Sequence, residues 1–378
     1  MSFPRLALRG ACIAAAAASV PAFAQQTGVQ IYGTLNVDVE SVAASGATDA
    51  GALPAGALGR ALTGQDVPRR TRVSSNSSNL GFRGAEKLGD GLEVNFQIES
   101  AVNLDAGQTN IASRNTGVGL RGSWGSFLVG QWDTPYKTIS GAVDPMYFTG
   151  ITYTGALIGT PGFGVGPTTI GAPSVTDGRF SGTANASFER RQGNSIQYWL
   201  PNLAGFGGRV AYSVNEAKTA TTNPTILSAS LEYSRGIVYV AWAHEVHRDY
   251  FGLDALVPAS QTTAVSAAAS SRDRGDKIVA RVQIGSTRIG LLAEELRYEK
   301  DAADAQPGAF RSYRRRAAAI TLLQKIGASG TLRGLVGKAW NGSCTRFDGS
   351  DCDASNLGAR QVSLGYSYTF SPRTDAYL

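Results

Sequence analysis

The sequence is poor in the residue types that build most metal and catalytic centres. It has two histidines, three cysteines and two methionines in 378 residues. His244 and His247 are three positions apart in a predicted strand, so their side chains point to opposite faces and cannot chelate one metal ion together. Ser234 and His244 lack a third group that would orient a base, which argues against a hydrolase. We therefore expect no metal, no cofactor and no catalytic residue.

Long apolar runs are also missing beyond the first residues of the chain. Residues 1–24 combine a basic start, an apolar middle and a small-x-small cleavage motif, in Arg5 and Arg9, Ala11–Val20 and Ala22–Ala24. This arrangement predicts a secretory signal peptide, with residues 25–378 as the exported chain. After it no apolar run reaches the length of about 18 residues that a spanning helix needs, so no membrane helix is expected.

The excess of charge is small. Removing Arg5 and Arg9 with the signal peptide lowers the formal net charge from +6 to +4. So small and dispersed an excess does not favour nucleic-acid binding. The sequence is rich in glycine, with 46 residues, and has 14 tyrosines and 14 phenylalanines. This composition, with few sustained runs of helix formers, favours an all-β protein.

Two of the three cysteines remain after export. Cys344 and Cys352 are eight positions apart. In an oxidising compartment this spacing predicts a disulfide that closes a small loop and contributes about 2–3 kcal/mol in the chain-entropy description. A two-cysteine metal site is the alternative, although no histidine is nearby.

The strongest positive signal is strict alternation of apolar and polar residues. In Ser78–Ser100 two such segments flank a tight turn at 87–90. A period of two with one apolar face predicts half-buried strands. The pattern begins at Val29 and predicts fourteen strands. They are the opening strand, the two of this hairpin, and segments near 114–123, 126–134, 188–200, 207–216, 225–234, 236–247, 276–285, 287–299, 311–325, 330–341 and 356–370.

The connections between these strands alternate in length. Short turns are predicted near 87–91, 122–125, 201–205, 235–236, 285–286 and 327–329, and long connections near 43–70, 135–187, 249–273, 300–310 and 342–355. Short turns on one side and long loops on the other are typical of an antiparallel transmembrane β-barrel of a bacterial outer membrane. Closure of such a sheet satisfies the backbone hydrogen bonds that lipid cannot.

Three segments carry a resemblance to a known family: SSNLGFRGAEKLGDGLEVNFQIES, GVGLRGSWGSFLVGQWDTPY and RRQGNSIQYWLPNLAGFGGRVAYSVNE. With the final YSYTFSPRTDAY they resemble the general porins of Gram-negative bacteria, especially the β-proteobacterial branch. The resemblance implies a homotrimer of roughly 16-stranded barrels in the lipid of the outer membrane. Each barrel would hold a water-filled pore for passive diffusion of small hydrophilic solutes and ions. A basic run at a predicted outer rim, formed by Arg311, Arg314, Arg315 and Arg316, is expected to contact solvent or lipopolysaccharide phosphate.

The resemblance also implies a constriction. The long third loop, 135–187, would fold into the pore and set its carboxylates against basic residues of the opposite wall. The candidates are Asp144, Asp133 and Asp177 for the acids, and Arg83, Arg114, Arg179 and Arg190 for the bases. Asp144 corresponds by position to the loop acid, and Arg114 to a wall arginine. The scarcity of loop acids, with a charge of +4, favours a weak preference for anions.

The chain departs from the family pattern in three places. Asn79 stands where a wall arginine is common. Strict alternation places Arg114 on the lipid face, so it reaches the pore only through a bulge or bend. The chain ends at Leu378, where the family continues to a final strand that closes on an aromatic residue. We therefore expect 14–15 strands, with the closing strand missing.

Two other functions remain open at this point. A substrate-specific channel of the same fold would show saturable block of conductance by one ligand. An adhesin-like surface barrel, or a truncated porin, would show no conductance.

Overall fold

A computed structural model of the protein describes residues 28–47, 65–146, 152–160, 186–214, 218–220, 222–253, 270–301, 309–354 and 357–378. The predicted signal peptide lies outside these residues, as do Asp177 and Arg179.

Strands dominate the described residues. They are β1 (Gln30–Thr34), β2 (Val37–Ala47), β3 (Gln65–Ser75), β4 (Asn79–Gly89), β5 (Leu92–Asn103), β6 (Gln108–Asn110), β7 (Thr116–Gly122), β8 (Gly125–Asp133), β9 (Arg191–Trp199), β10 (Phe206–Ser213), β11 (Thr225–Arg235), β12 (Val238–Arg248), β13 (Ser270–Ile284), β14 (Thr287–Asp301), β15 (Phe310–Ile326), β16 (Gly330–Ala339), β17 (Ser343–Arg346), β18 (Asp351–Cys352), β19 (Ala359–Ser371) and β20 (Thr374–Tyr377). One short helix, α1 (Pro135–Ser140), and a 3-10 turn at Thr154–Ala156 lie between β8 and β9.

From β7 to β16 each strand is the antiparallel neighbour of the next one in the chain. β1 and β2 together pair with β4 and β3, so they form one long hairpin with a break in each arm. At the break the Ser78 hydroxyl accepts from the Asn36 backbone N–H and donates to the Asn36 carbonyl oxygen, both at 2.8 Å. The side chain thus replaces backbone hydrogen bonds that the break interrupts.

The ladder then runs from β4 through β5 and β7 to β16, and on to β19 and β20. β6, β17 and β18 are short pieces beside it. Counting each arm of the first hairpin once gives about fifteen crossings, which are the fourteen predicted from the alternation and β20.

The predicted tight turn between β4 and β5 is present. Gly89, Asp90 and Gly91 have φ values of 101°, 50° and 75°. Three successive residues with positive φ need glycine or a short polar side chain, because Cβ disfavours this conformation in most residues. The local sequence therefore sets where this hairpin reverses.

Alternation sorts the side chains onto two faces. On β12, Val240 and Trp242 point outward and are 41% and 44% exposed, whereas Ala241 and Ala243 point inward and are 1% and 0% exposed. The two histidines separate as predicted. His244 lies 2.9 Å from the outward carboxylate of Asp276, and His247 contacts an inward carboxylate.

The buried core lies inside the sheet. The segment between β8 and β9 packs against the inner faces of β11 to β13, mainly through α1. Tyr136, Ile139, Ile158 and Phe188 from this segment are almost fully buried among wall residues. In the described part of the chain, no helix is long and apolar enough to cross a membrane.

Two predicted connections are shorter than expected. β2 ends at Ala47 and β3 begins at Gln65, so residues 43–47 and 65–70, at the two ends of the predicted 43–70 connection, are strand. β13 begins at Ser270, inside the predicted 249–273 connection. The sequence of these strand ends does not alternate between apolar and polar residues, so the alternation signal does not reach them.

Candidate pore constriction

The third loop enters the barrel at the end of β8. Thr134 caps α1, its hydroxyl accepting from the Lys137 backbone N–H at 3.3 Å, and Pro135 occupies the first helical turn. A proline is tolerated at that position because its missing N–H has no intrahelical partner there. This local start directs the chain inward and across the lumen.

A buried cation holds both limbs of the loop to the wall. Lys277 on β13 is fully buried and pairs with Glu189, on the returning limb. Its ammonium also donates to the Ser140 hydroxyl at 2.7 Å, at the end of α1. A buried charge must be paired and hydrogen-bonded to be tolerated, so this cluster requires the loop in its place.

A buried carboxylate makes a second anchor. Glu294 on β14 accepts from the Tyr136 hydroxyl at 3.0 Å and from the Gly159 backbone N–H at 2.6 Å. These donors come from the start and the middle of the loop, so one wall residue fixes two distant points of it.

Three wall arginines hold the loop backbone. Arg281 donates to the Ala142 carbonyl oxygen at 3.1 Å. Arg333 donates to the Pro145 carbonyl oxygen at 2.7 Å. Arg315 donates to the carbonyl oxygens of Leu157 and Thr160. Arg281, Arg333 and Lys277 were not among the residues predicted from the sequence. Arg315, predicted to lie at the outer rim, is instead buried and points inward.

Asp144 lies within the loop and braces it. Its carboxylate accepts from the backbone N–H groups of Met146 at 2.8 Å and Thr154 at 3.2 Å, and from the Thr154 hydroxyl at 3.0 Å. Burial raises the pKa of this carboxyl, and the three donors oppose that shift only in part. Burial likewise raises the pKa of the nearby Tyr153 hydroxyl to about 12.

Asp133 lies at the root of the loop. Its carboxylate is 2.9 Å from the Lys137 ammonium and 3.2 Å from the Arg191 guanidinium. It also accepts from the Asn115 amide at 3.0 Å. The acid is thus shared between a loop cation and a wall cation.

Arg114 points into the barrel. β7 begins only at Thr116, and the preceding residues turn, with Ala112 at a φ of 58°. This bend frees Arg114 from strict alternation, and its Nε donates to Glu99 at 2.5 Å. Glu99 also accepts from the Tyr32 hydroxyl at 2.9 Å.

The other two described arginine candidates differ in their surroundings. Arg83 points inward, donates to the Gln30 side chain at 2.8 Å and lies with Cζ 4.9 Å from the centre of the Tyr32 ring. Arg190 is only 5% exposed, and its guanidinium lies 4.9 Å from the centre of the Tyr250 ring. It is therefore buried beside the loop root, whereas its neighbour Arg191 contacts Asp133.

The cysteine pair lies away from the constriction. Cys344 on β17 is joined to Cys352 on β18, with their Cα atoms 5.3 Å apart across the two paired strands. Within the described ranges, no cluster of three or more histidine, cysteine or acidic side chains could hold a metal ion.

The arrangement, a strand-built wall around a loop that fills part of its interior, matches known proteins. The family profile described as Gram-negative porin matches residues 11–378. The chain belongs to the Gram-negative porin family. This porin is 26% identical over 307 residues to outer membrane porin protein 32 of Delftia acidovorans, covering 80% of this chain and 73% of that protein.

Solved structures share the fold of this porin. The anion-selective porin from Comamonas acidovorans superposes with a TM-score of 0.67 at 18% identity, over 93% of this chain and 87% of that one. In-vitro folded OmpT of Vibrio cholerae, in its trimer form, gives a TM-score of 0.57 at 15% identity, over 93% and 86% of the two chains. These likenesses confirm the predicted antiparallel β-barrel with an inward-folded third loop.

Membership of the family confirms the predicted location and transport class. The protein is an outer-membrane porin of Gram-negative type, a channel for passive diffusion.

Proposed function

We propose that this porin carries small hydrophilic solutes and ions with a weak preference for anions, and that it performs no covalent step on them. The observation that carries the preference is the charge of the lumen wall beside the loop. The wall cations are Arg83, Arg114, Arg121, Arg191 and Arg209, with Lys137 at the start of the loop, and the acids are Glu93, Glu99, Asp133 and Glu232. The excess of cations lowers the barrier for anions in a narrow aqueous path.

The solved porin from Comamonas acidovorans, which shares the fold, is anion-selective. That description supports the sign of the proposal. The neutralised pairs on the wall, such as Arg114 with Glu99, keep the expected preference weak.

The test is the reversal potential of single channels of residues 25–378 in planar bilayers with a KCl gradient. We expect stable conductance steps and a potential of the sign given by more permeant chloride. A potential of the opposite sign would contradict the anion preference while leaving the channel function intact. Absence of steps, beside a working porin control, would favour the non-conducting alternative.

We further propose that the functional unit is a homotrimer. The outer face of the first strands carries short exposed aliphatic side chains, among them Ile31, Val39, Val118 and Val129, with 67%, 73%, 58% and 57% exposure. Gly117 and Gly119, on either side of Val118 in β7, point inward and add no side chain to the inner face of the wall there. A smooth apolar face of this kind suits contact between barrels, and OmpT of similar fold is described in a trimer form. Light scattering of the protein in detergent should give three times the monomer mass, and a Val118→Lys variant should lower it.

The outward face of β14 and β15 suggests lipopolysaccharide as the lipid partner. Glu295 accepts from three outward arginines, Arg297, Arg314 and Arg316, which are 44%, 44% and 65% exposed. One carboxylate cannot neutralise three guanidinium groups, so the cluster keeps a net positive charge. Guanidinium groups bind phosphate in a bidentate geometry. They lie near the long-connection end of their strands, where an outer-leaflet phosphate would be reached.

This partner is tested by the lipopolysaccharide that remains bound after detergent extraction. Replacing the three arginines by glutamine should lower the bound amount, while Arg235→Gln and Arg373→Gln, at the short-turn end, should not. Equal retention by both sets of variants would contradict a phosphate site at Glu295.

A further inference from the structure

A cavity of about 540 Å³ lies in the lumen, against the wall formed by β4 to β9. Arg83 on β4 is opposite Gln97 on β5, and Arg121 on β7 is opposite Glu93 on β5. All four occupy inward positions of their strands. The cavity is thus reached from the aqueous path, at the level between the constriction and the short turns. Its volume is in the range of pockets that hold small molecules.

One guanidinium in this cavity is not neutralised. Arg83 is held by the Gln30 amide oxygen and the Tyr32 ring. Among the residues that the structure describes, no carboxylate forms an ion pair with it. Arg121 pairs with Glu93 but keeps 56% of its side chain exposed. The cavity therefore presents a fixed cation and a second, accessible one to a negatively charged solute.

Two indole rings line the same cavity. Trp132 and Trp199 meet edge to face, with ring centres 5.7 Å apart and planes at 62°. The Trp199 N–H donates to the Gln197 side chain at 3.0 Å, and Arg209 lies 4.9 Å from the ring centre. These contacts hold the ring in one orientation. The rings add flat apolar surface, on which a planar apolar group stacks favourably.

We propose that this cavity, named here the Arg83–Trp199 pocket, retains small organic carboxylates with a flat apolar body as they cross the pore. The carboxylate would lie at Arg83 and Arg121, and the planar body at Trp132 and Trp199. The proposal rests on the proposed diffusion function, because the solute must pass through a conducting channel. It goes further by naming a solute class that the pocket favours over chloride or acetate.

The experiment is single-channel recording in KCl with added benzoate, and with acetate as a carboxylate that lacks the ring. Benzoate is expected to lower the mean current and add current noise at a half-effect concentration several-fold below that of acetate. Arg83→Gln should raise the benzoate value about fivefold or more, since a charge-assisted hydrogen bond is lost. Trp199→Leu should raise the benzoate value and leave the acetate value unchanged.

Arg288→Gln is the matched control, because Arg288 is also an inward arginine near a short turn, on the far wall at β14. It should leave the benzoate effect unchanged. Equal half-effect concentrations for benzoate and acetate would overturn the proposed binding of planar carboxylates. An equal shift of the benzoate value by the Arg83 and Arg288 substitutions would do the same. Loss of KCl conductance in the unmodified protein would instead overturn the channel function.

A second readout does not need an open channel. Benzoate should change the tryptophan fluorescence of the folded protein in detergent, with the change lost in a Trp132→Leu, Trp199→Leu double variant. A change that persists in the double variant would place benzoate elsewhere and overturn the proposal.

Discussion

Tyr377 at the end of β20 contacts Asn36 in the first hairpin, with its hydroxyl donating to Asn36 Oδ1 at 2.6 Å. The two residues are 341 positions apart. The same hydroxyl lies 3.4 Å from Asp38 Oδ2. Because the described ladder begins with β1 and ends with β20, a side-chain hydrogen bond joins the two edges of the sheet. The first and last described crossings therefore lie close together.

Tyr377→Phe is expected to destabilise the barrel by about 1 kcal/mol, the net contribution of one hydrogen bond. Asn36 would lose a donor while the ring of residue 377 stays in place. The measurement is the temperature at which the folded band of the barrel is lost in a gel-shift assay. Tyr368→Phe, on the outer face of β19, is the control and should behave as the unmodified protein. Identical transitions for both variants would mean that the edge contact contributes nothing.

Lys277→Met is expected to release the third loop. The substitution leaves Glu189 without its cation, and breaking a buried ion pair costs about 3–5 kcal/mol. The open channel should therefore show more current fluctuation and faster proteolysis within the loop. A Lys277→Met, Glu189→Met double variant should recover a quiet channel, because no unpaired charge remains. Lys325→Met, at an exposed end of β15, is the control. An equal increase in current fluctuation in this control would show that the effect of Lys277→Met does not arise from release of the loop.

Asp144→Asn is expected to raise the anion preference. The amide oxygen can accept from the donors of only one of the two carboxylate oxygens, and the substitution removes one negative charge from the constriction loop. The reversal potential in a KCl gradient should move further toward the chloride value at neutral pH. An unchanged potential would show that the Asp144 charge does not reach the ion path.

The pH dependence of loop stability has a defined sign. Burial raises the pKa of Asp144, so the folded state binds its proton more tightly than the unfolded state does. The stabilising contribution is present at low pH and is lost as the pH rises through the raised pKa. The melting temperature of the unmodified protein relative to Asp144→Asn should therefore fall over the pH interval that begins at the ordinary pKa of an aspartate carboxyl and extends upward. A relative rise over that interval would show that the hydrogen bonds to the carboxylate outweigh burial.

Reduction of the Cys344–Cys352 pair is expected to loosen a hairpin without altering the pore. The pair closes a loop of small size, so its contribution is about 2–3 kcal/mol at most and acts on β17 and β18. Trypsin should then cut at Arg346 faster, with unchanged conductance. A Cys344→Ser variant should match the reduced protein. Altered conductance in either protein would contradict the prediction and show that the hairpin affects the pore.

The strands and the placement of most turns followed from alternation and glycine, because a half-buried strand repeats every two residues and a tight turn needs positive φ at few positions. The same reasoning failed for Arg114. Its inward orientation depends on the bend before β7, which packing against Glu99 stabilises. It also missed the contacts of Lys277, Glu294 and Arg315 with the loop. The strand pattern of an inward polar residue is the same whether the residue faces water or a buried loop.

Most of the crossings and reversal points, the rows of outward apolar residues and the family resemblance can be read from the amino-acid sequence alone. These features depend on residues within a few positions of one another, so the pattern of residue types along the chain is enough to predict them. Only the folded arrangement shows which polar side chains contact one another: Lys277 with Glu189, Asp133 with Arg191, and Tyr377 with Asn36. Those pairs join residues far apart in the chain, and their contacts arise only when the register of the sheet and the path of the third loop bring them within hydrogen-bonding distance.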